Sequence, residues 1–386
     1  MNSRERLLKA FNHEEPDKVP LDLGGHISGI HIKAYKKLLE YLNIEDKEIK
    51  TYDFTQQLAF PCNDLLERFN IDTRYLHPHG DIVKIDDVKP QYVGKYVGEY
   101  DQFGVFWGNS ADKDLDDILY YDPVIHPFSD FKTIKEIENY DWPDGKNKAL
   151  FEGLAEYAKN LRVSTDYALV SPITGCVYEY TMFLFGFTKA LIYLKKRPDL
   201  IIAAMEKLLE YWIDYSFTFL SEVGDNLDVV CINGDIAEQA GPMMNLKIYE
   251  ELIKPIEKKL SEKVHELADV KVNYHSCGSI VQFIPHWAEI GYDAINPVQI
   301  SARDMEPCSL KKRYGDIITF WGGACNPQQT LPFGSPEQIR NEVRENLNCF
   351  KPDGGYIASS VHNITAEVPP ENIIAMFDAL NDFRDY

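Results

Sequence analysis

The sequence predicts an α/β protein, a parallel (β/α)8 barrel of the TIM type, and three observations carry that prediction. Short apolar runs rich in β-branched residues alternate with amphipathic helical stretches along almost the whole chain. Eight such runs can be read, the number that closes a barrel. Ligand-type polar side chains gather just past the carboxyl ends of these runs, where parallel barrels place their chemistry. A doubly wound open sheet is the rival, but its Gly-rich phosphate fingerprint is missing. G-x-x-x-x-G-K-S/T and G-x-S-x-G are missing as well.

The polar, helical N-terminus Met1-Asn-Ser-Arg-Glu-Arg lacks a signal-peptide pattern. The first strand follows over Val19–Gly24 and the second over Ile71–Leu76. Residues 82–145 then break the alternation with short runs rich in Tyr, Val, Gly and Asp, including Tyr92–Tyr100 and Phe103–Trp107. This segment reads as a small β-rich insertion after the second strand, packed over the barrel mouth. The later strands are Ala168–Ile173, Asp228–Asn233, Val270–Tyr274, Ala294–Pro297, Ile317–Gly322 and Tyr356–Ser360. Amphipathic helices are expected over Asp199–Val223, Leu246–Leu267, Ser279–Ile290, Pro336–Cys349 and Pro370–Phe383. No internal repeat or low-complexity linker divides the chain, so residues 1–386 read as one domain.

Composition narrows the partners. The 386 residues carry a formal charge of −21, which argues against nucleic acid and anionic membrane surfaces. Tyr167–Thr188, the least polar stretch, is interrupted by Pro172, Gly175 and Glu179 and is too broken to span a membrane. Seven scattered cysteines with no C-x-x-C fit a reducing cytoplasm better than a disulfide scaffold. Cys308 and Cys349 therefore read as core or surface thiols.

The strand ends supply the candidate site. They bring Asp22, Gly25 and His26; His77 and His79; Asp235 and Glu238; His275 and Cys277; Asn296 and Gln299; Cys325 and Gln328; and His362 and Asn363. Packing would prefer apolar side chains in such places. In a strand, residues two apart share a face, so the imidazole of His275 and the thiol of Cys277 aim at one point. Nitrogen plus soft sulphur is a typical zinc shell. Ten His and seven Cys yield about 0.2 such spacings by chance, so the placement of this pair, rather than its occurrence, singles it out.

At this point the chain resembles the uroporphyrinogen decarboxylase-like superfamily over nearly its full length. The resemblance rests on Ser3-Arg-Glu-Arg-Leu-Leu-Lys-Ala-Phe11, Glu15-Pro-Asp-Lys-Val-Pro20, His275-Ser-Cys-Gly-Ser-Ile280 and Gly291-Tyr-Asp-Ala-Ile-Asn-Pro297. Phe320-Trp-Gly-Gly323, His362-Asn-Ile364 and Val368-Pro-Pro-Glu-Asn372 extend it. It implies a distorted (β/α)8 barrel. Porphyrinogen decarboxylases hold their polycarboxylate substrate with an N-terminal arginine-rich motif. The matching Leu21-Asp-Leu-Gly-Gly-His-Ile-Ser-Gly-Ile-His31 contains no arginine. The His-x-Cys pair is similar instead to the zinc-dependent, corrinoid-linked methyltransferase branch, whose coenzyme M members add a Cys at the end of the last strand. Here that end reads Ser359, Ser360 and His362. Cys325 is therefore the first choice of third zinc ligand, with His362, Asp235 and Glu238 in reserve.

The resemblance implies a zinc-dependent methyltransferase acting with a corrinoid carried on a partner protein, since no corrinoid-binding Asp-x-His-x-x-Gly occurs in the chain. His275, Cys277 and Cys325 would hold zinc, while Asp235, Glu238 and His362 would move protons. His26, Asn296, Gln299 and Gln328 would bind substrate. Tyr178, Tyr180, Phe183 and Trp321 offer walls for the expected substrate, an aromatic methyl ether. The alternatives are a thiol methyltransferase of the coenzyme M kind, a metal-independent decarboxylase of a small acid, and a non-catalytic barrel that presents a corrinoid or metal.

Overall fold

The computed structural model describes residues 1–79, 81–84 and 87–386. Seven parallel strands form: β1 (Thr73–Tyr75), β2 (Ala168–Cys176), β3 (Val229–Asn233), β4 (Lys271–His275), β5 (Ala294–Asn296), β6 (Thr319–Trp321) and β7 (Tyr356–Ile357). They lie side by side in chain order from β1 to β7, the order of a singly wound parallel barrel. The first expected strand, Val19–Gly24, is instead an extended segment lying between the two sheet edges. Asp72 N donates to Leu21 O at 2.8 Å on the β1 side. On the β7 side, Asp22 N donates to Ala358 O at 3.0 Å and Ala358 N to Pro20 O at 2.9 Å. Pro20 has no N–H to add to the ladder, and Gly24 leaves it at φ +119°. The ring therefore closes through a few isolated backbone bonds rather than an eighth strand, which makes a distorted TIM barrel.

The core has two layers. Leu7, Ala10 and Phe11 of the helix Ser3–Phe11 enter the amino end of the barrel and pack with Tyr75, Val170, Cys231, Ala294, Trp321 and Ile357. The larger layer lies between strands and outer helices, where Leu38, Leu208, Leu260, Leu347 and Leu380 are buried. A buried ion network ties the chain ends to this frame. Asp72 accepts from Arg6 at 2.5 Å and from Arg384 at 3.3 Å, as well as from Leu21 N at 2.8 Å.

Pro198–Val223, Pro336–Phe350 and Pro370–Phe383 match the expected helices to within a residue. Leu246–Leu267 does not run as one α-helix. A π-helical turn, Tyr249–Ile253, precedes the α-helix Lys254–Leu267. Pro255 removes the N–H that would bond back along the helix, and the wider turn absorbs that loss. Ser279–Ile290 shortens to the helix Ile284–Glu289.

The insertion forms an antiparallel sheet of Gln91–Val93, Tyr96–Tyr100, Phe106–Ser110 and Asp122–Ile125. Residues 85 and 86 of the expected 82–145 segment lie outside the described residues. Asp101 fastens this sheet to the helix Tyr178–Phe185: it accepts from Tyr180 OH and, at 2.6 Å, from Trp107 Nε1. Trp107 also meets Phe183 edge to face, with ring centroids 4.9 Å apart. One cysteine expectation is overturned. Cys308 and Cys349 form a disulfide, because Pro307–Tyr314 and Pro336–Phe350 pack together and bring their Cα atoms to 4.6 Å. Among the described residues no helix is long and apolar enough to cross a membrane.

Candidate metal centre at the barrel mouth

Register builds the centre. Cys176 pairs with Asn233, Asn233 with His275, and His275 with Asn296, so β2 to β5 present these residues at one level near the carboxyl ends. Neighbouring strand residues at one level face the same side, which brings Asn296 Oδ1 to 2.5 Å from His275 Nδ1. Asn296 Nδ2 donates to Trp321 O at 3.0 Å, and this fixes the orientation of the amide. The oxygen must therefore accept from His275, so the imidazole carries its proton on Nδ1 and turns the Nε2 lone pair into the mouth.

Cys277 Sγ lies 3.5 Å from that Nε2. His362 completes a cluster in which one ligand atom from each of the three residues lies within 4.8 Å of the others. Zinc–nitrogen and zinc–sulphur bonds at the tetrahedral angle put the two donors about 3.6 Å apart, so the pair fits one ion. Burial pushes His275 and His362 down to about 4, which leaves both imidazoles neutral and able to coordinate. Burial, with Asp235 and Glu179 adding to it, pushes the Cys277 thiol up. A dication among these groups reverses that balance and favours the thiolate.

The turn after Cys277 is tightly built. Gly278 has φ +88°, and a Cβ there would stand 2.7 Å from the Ala237 and Glu238 backbones. Gly278 N donates to Gln299 Oε1 at 2.8 Å, and Cys277 N to Asp235 Oδ1 at 2.7 Å. Asp235 also stands 3.9 Å from His275 Nε2. Glu179 meets the same loop, accepting from Asn233 Nδ2 at 2.7 Å and from Asp235 N at 3.4 Å. Burial raises both carboxyls above their ordinary values, and the Asp235 charge adds to the rise at Glu179.

A cavity of about 400 Å³ opens beside the cluster, lined by Cys277, His362, Glu238, Gln239, Gln299 and Gln328, with Pro297 and Asn363 among the remaining walls. No Arg or Lys lines it among the described residues.

The structure redistributes several expected roles. Cys325 is not in the donor cluster. It is fully buried in the outer core, because the Gly322–Gly323 turn carries the chain away from the axis before the thiol appears. His362 takes that third position. Asn296 is not a free substrate ligand, since both ends of its buried amide are used by His275 and Trp321. His26 lies beside Asp53, Nε2 to Oδ2 3.7 Å, and lines a different cavity. Tyr178 and Trp321 are core residues, with the Trp321 indole donating to Asp22 at 2.8 Å. Glu179 was missed, although it is a lone charge in the least polar stretch of the chain, and that was the available signal.

The family model described as Uroporphyrinogen decarboxylase (URO-D) matches residues 120–383. A uroporphyrinogen decarboxylase from Psychromonas ingrahamii is 23% identical over 395 residues, covering 98% of this chain and 96% of the relative. Another, from Pseudoalteromonas translucida, is 32% identical over 105 residues, 26% of this chain and 27% of the relative. Among solved structures, a methyltransferase from Methanosarcina mazei superposes with a TM-score of 0.64 at 17% identity, covering 99% of each chain. That likeness is one of fold.

Proposed function

The chain belongs to the uroporphyrinogen decarboxylase family, and from there we propose that it is a zinc-dependent methyltransferase that passes a methyl group between a small substrate and a corrinoid held on a partner protein. The observation that carries the reading is the donor set His275, Cys277 and His362, whose atoms converge beside a cavity without fixed positive charge. Three protein ligands leave the open position that a catalytic zinc site keeps. Zinc supplies Lewis-acid activation of the substrate heteroatom when bound. Asn296 holds the His275 ring in its ligating tautomer. Asp235, whose carboxyl burial raises above its ordinary value, and Glu238 at the exposed rim are the groups placed to deliver a proton to the leaving oxygen. Gln299 and Gln328 line the cavity as its amides, with Gln299 Oε1 already engaged by Gly278 N.

An aromatic methyl ether remains the substrate we favour, with demethylation as the direction. On this reading residues 1–386 work as one barrel domain in the cytoplasm, with 82–145 inserted over the mouth.

A second reading, decarboxylation of a small acid without metal, is favoured by the full-length likeness to a relative named uroporphyrinogen decarboxylase. Against it stand the arginine-free segment 21–31 and the lack of a basic wall in the cavity. Metal analysis and methyl-transfer assays separate the two. The methyltransferase reading expects about one zinc per chain, lost in folded His275→Ala, Cys277→Ala and His362→Ala variants and kept in Cys325→Ser. It also expects veratrole-like ethers to methylate cobalt(I) cobalamin. Decarboxylation by metal-free protein, with no methyl transfer from any ether or thiol, would reject it.

A further inference from the structure

A second cavity, of about 700 Å³, lies where the inserted sheet meets the barrel mouth, and none of the three donor residues lines it. Its walls include the aromatic rings of Tyr52, Phe54, Trp107 and Tyr180. The polar ends of three of these rings already have acceptors inside the protein. Tyr52 OH donates to Gly25 O at 2.7 Å, while Trp107 Nε1 and Tyr180 OH both donate to Asp101. The rings are thus held in place; Tyr52 stacks on His77 and Phe54 on Tyr121, centroids 4.1 and 4.3 Å apart, which leaves each of these two the opposite face for a ligand.

The charge of the cavity is one-sided. Asp53, Asp81, Asp87, Glu99 and Asp101 line it, against Lys89 as the single lysine or arginine among the described lining residues. Asp53 points most directly to a ligand. Its side chain is nine-tenths buried. Oδ1 accepts from Thr55 Oγ1 at 2.9 Å and from Gln56 N at 2.8 Å. Among the described residues Oδ2 makes no hydrogen bond, and the His26 Nε2 stands 3.7 Å away. Burial lowers the His26 pKa, so the imidazole is neutral and gives that oxygen no counter-charge. That oxygen opens to the cavity, where a cation can pair with it. A carboxylate among aromatic rings is the chemistry that recognises alkylated ammonium groups.

We propose that this cavity binds an organic ammonium cation. The site adjoins the metal-side cavity, since Asn363 lines that cavity and donates to His26 O at 2.8 Å. A ligand held here would sit beside the metal-side cavity. The binding reading uses no metal ligand and stands apart from the methyltransferase reading.

Calorimetric titration of the full chain with three probes of matched shape tests it: choline, the uncharged isostere 3,3-dimethylbutan-1-ol and the anion 3,3-dimethylbutanoate. Running the titrations with and without zinc keeps the outcome separate from that of the metal reading. Choline is expected to bind at least about tenfold more tightly than the alcohol, with the anion weakest, and to lose affinity as salt rises. Asp53→Asn retains an oxygen for Thr55 and Gln56 and should weaken choline about tenfold with the alcohol unchanged. Trp107→Phe, which keeps a ring in the wall, should weaken it by less. Equal binding of choline and the alcohol, no choline binding, or unchanged affinity in a folded Asp53→Asn protein would each overturn the proposal.

Discussion

Replacing Asn296 by leucine isolates what the neighbouring strand contributes to the metal centre. The side chains share a heavy-atom skeleton, with leucine the bulkier, and the Asn296 side chain meets the donor set through the 2.5 Å contact to His275 Nδ1. Leucine removes the acceptor that fixes the tautomer, and the loss of such an outer partner typically costs 10–100-fold in metal affinity. That range corresponds to about 1.4–2.7 kcal/mol. The substitution also strands the Trp321 carbonyl, buried and now without the amide donor at 3.0 Å, at a stability cost of about 1–3 kcal/mol. Two measurements on one protein separate these effects: zinc competition against a chromophoric chelator at neutral pH, and urea unfolding of the zinc-free form. Cys325→Ser serves as the control, because Cys325 is buried in the outer core and its zinc affinity should match the parent protein. A folded Asn296→Leu protein whose zinc dissociation constant stays within about twofold of the parent would refute the argument that register orients the ligand.

Two further outcomes follow from buried charge elsewhere. Asp72→Ala leaves Arg6 and Arg384 buried without their shared carboxylate, and urea unfolding should show a loss of about 3–5 kcal/mol. Glu257 is buried beside Tyr249 and Tyr274, and burial pushes its carboxyl from 4.5 up to about 7. The folded protein then keeps a proton that the unfolded chain releases between these values. The contribution of this group is greatest below about pH 4.5 and declines until about pH 7, by roughly 3 kcal/mol at most. Thermal melts of the parent and Glu257→Gln across that window should converge or cross as this decline is removed, and parallel curves would contradict the shift.

Periodicity made most of the barrel legible, because strands buried on both faces must be apolar throughout and outer helices must be apolar on one side. Seven strands and the three longest predicted helices outside the Pro255 region follow that rule. The exceptions have local causes. Val19–Gly24 pairs through too few groups to extend a ladder, and Pro255 forces a π turn into a helix whose apolar period looked continuous. The disulfide escaped notice because Cys308 and Cys349 stand 41 residues apart, and only helix packing brings them together.

The centre divides along the same line. His275 and Cys277 were readable because their two-residue spacing puts both side chains on one face, and local backbone geometry is written in adjacent residues. The third donor was not readable. Cys325 and His362 both follow strands, and the choice between them depends on which way the chain turns after leaving the barrel. Gly322 and Gly323, both at positive φ, take Cys325 into the outer core, while the segment after β7 leaves His362 in the mouth. Asn296 and Glu179 show the same limit, since a donor's orientation and a carboxyl's proton depend on neighbours from other strands and helices. Residue identity and spacing determined the fold class and the two adjacent candidate donors; long-range packing alone decided which distant side chains share their space.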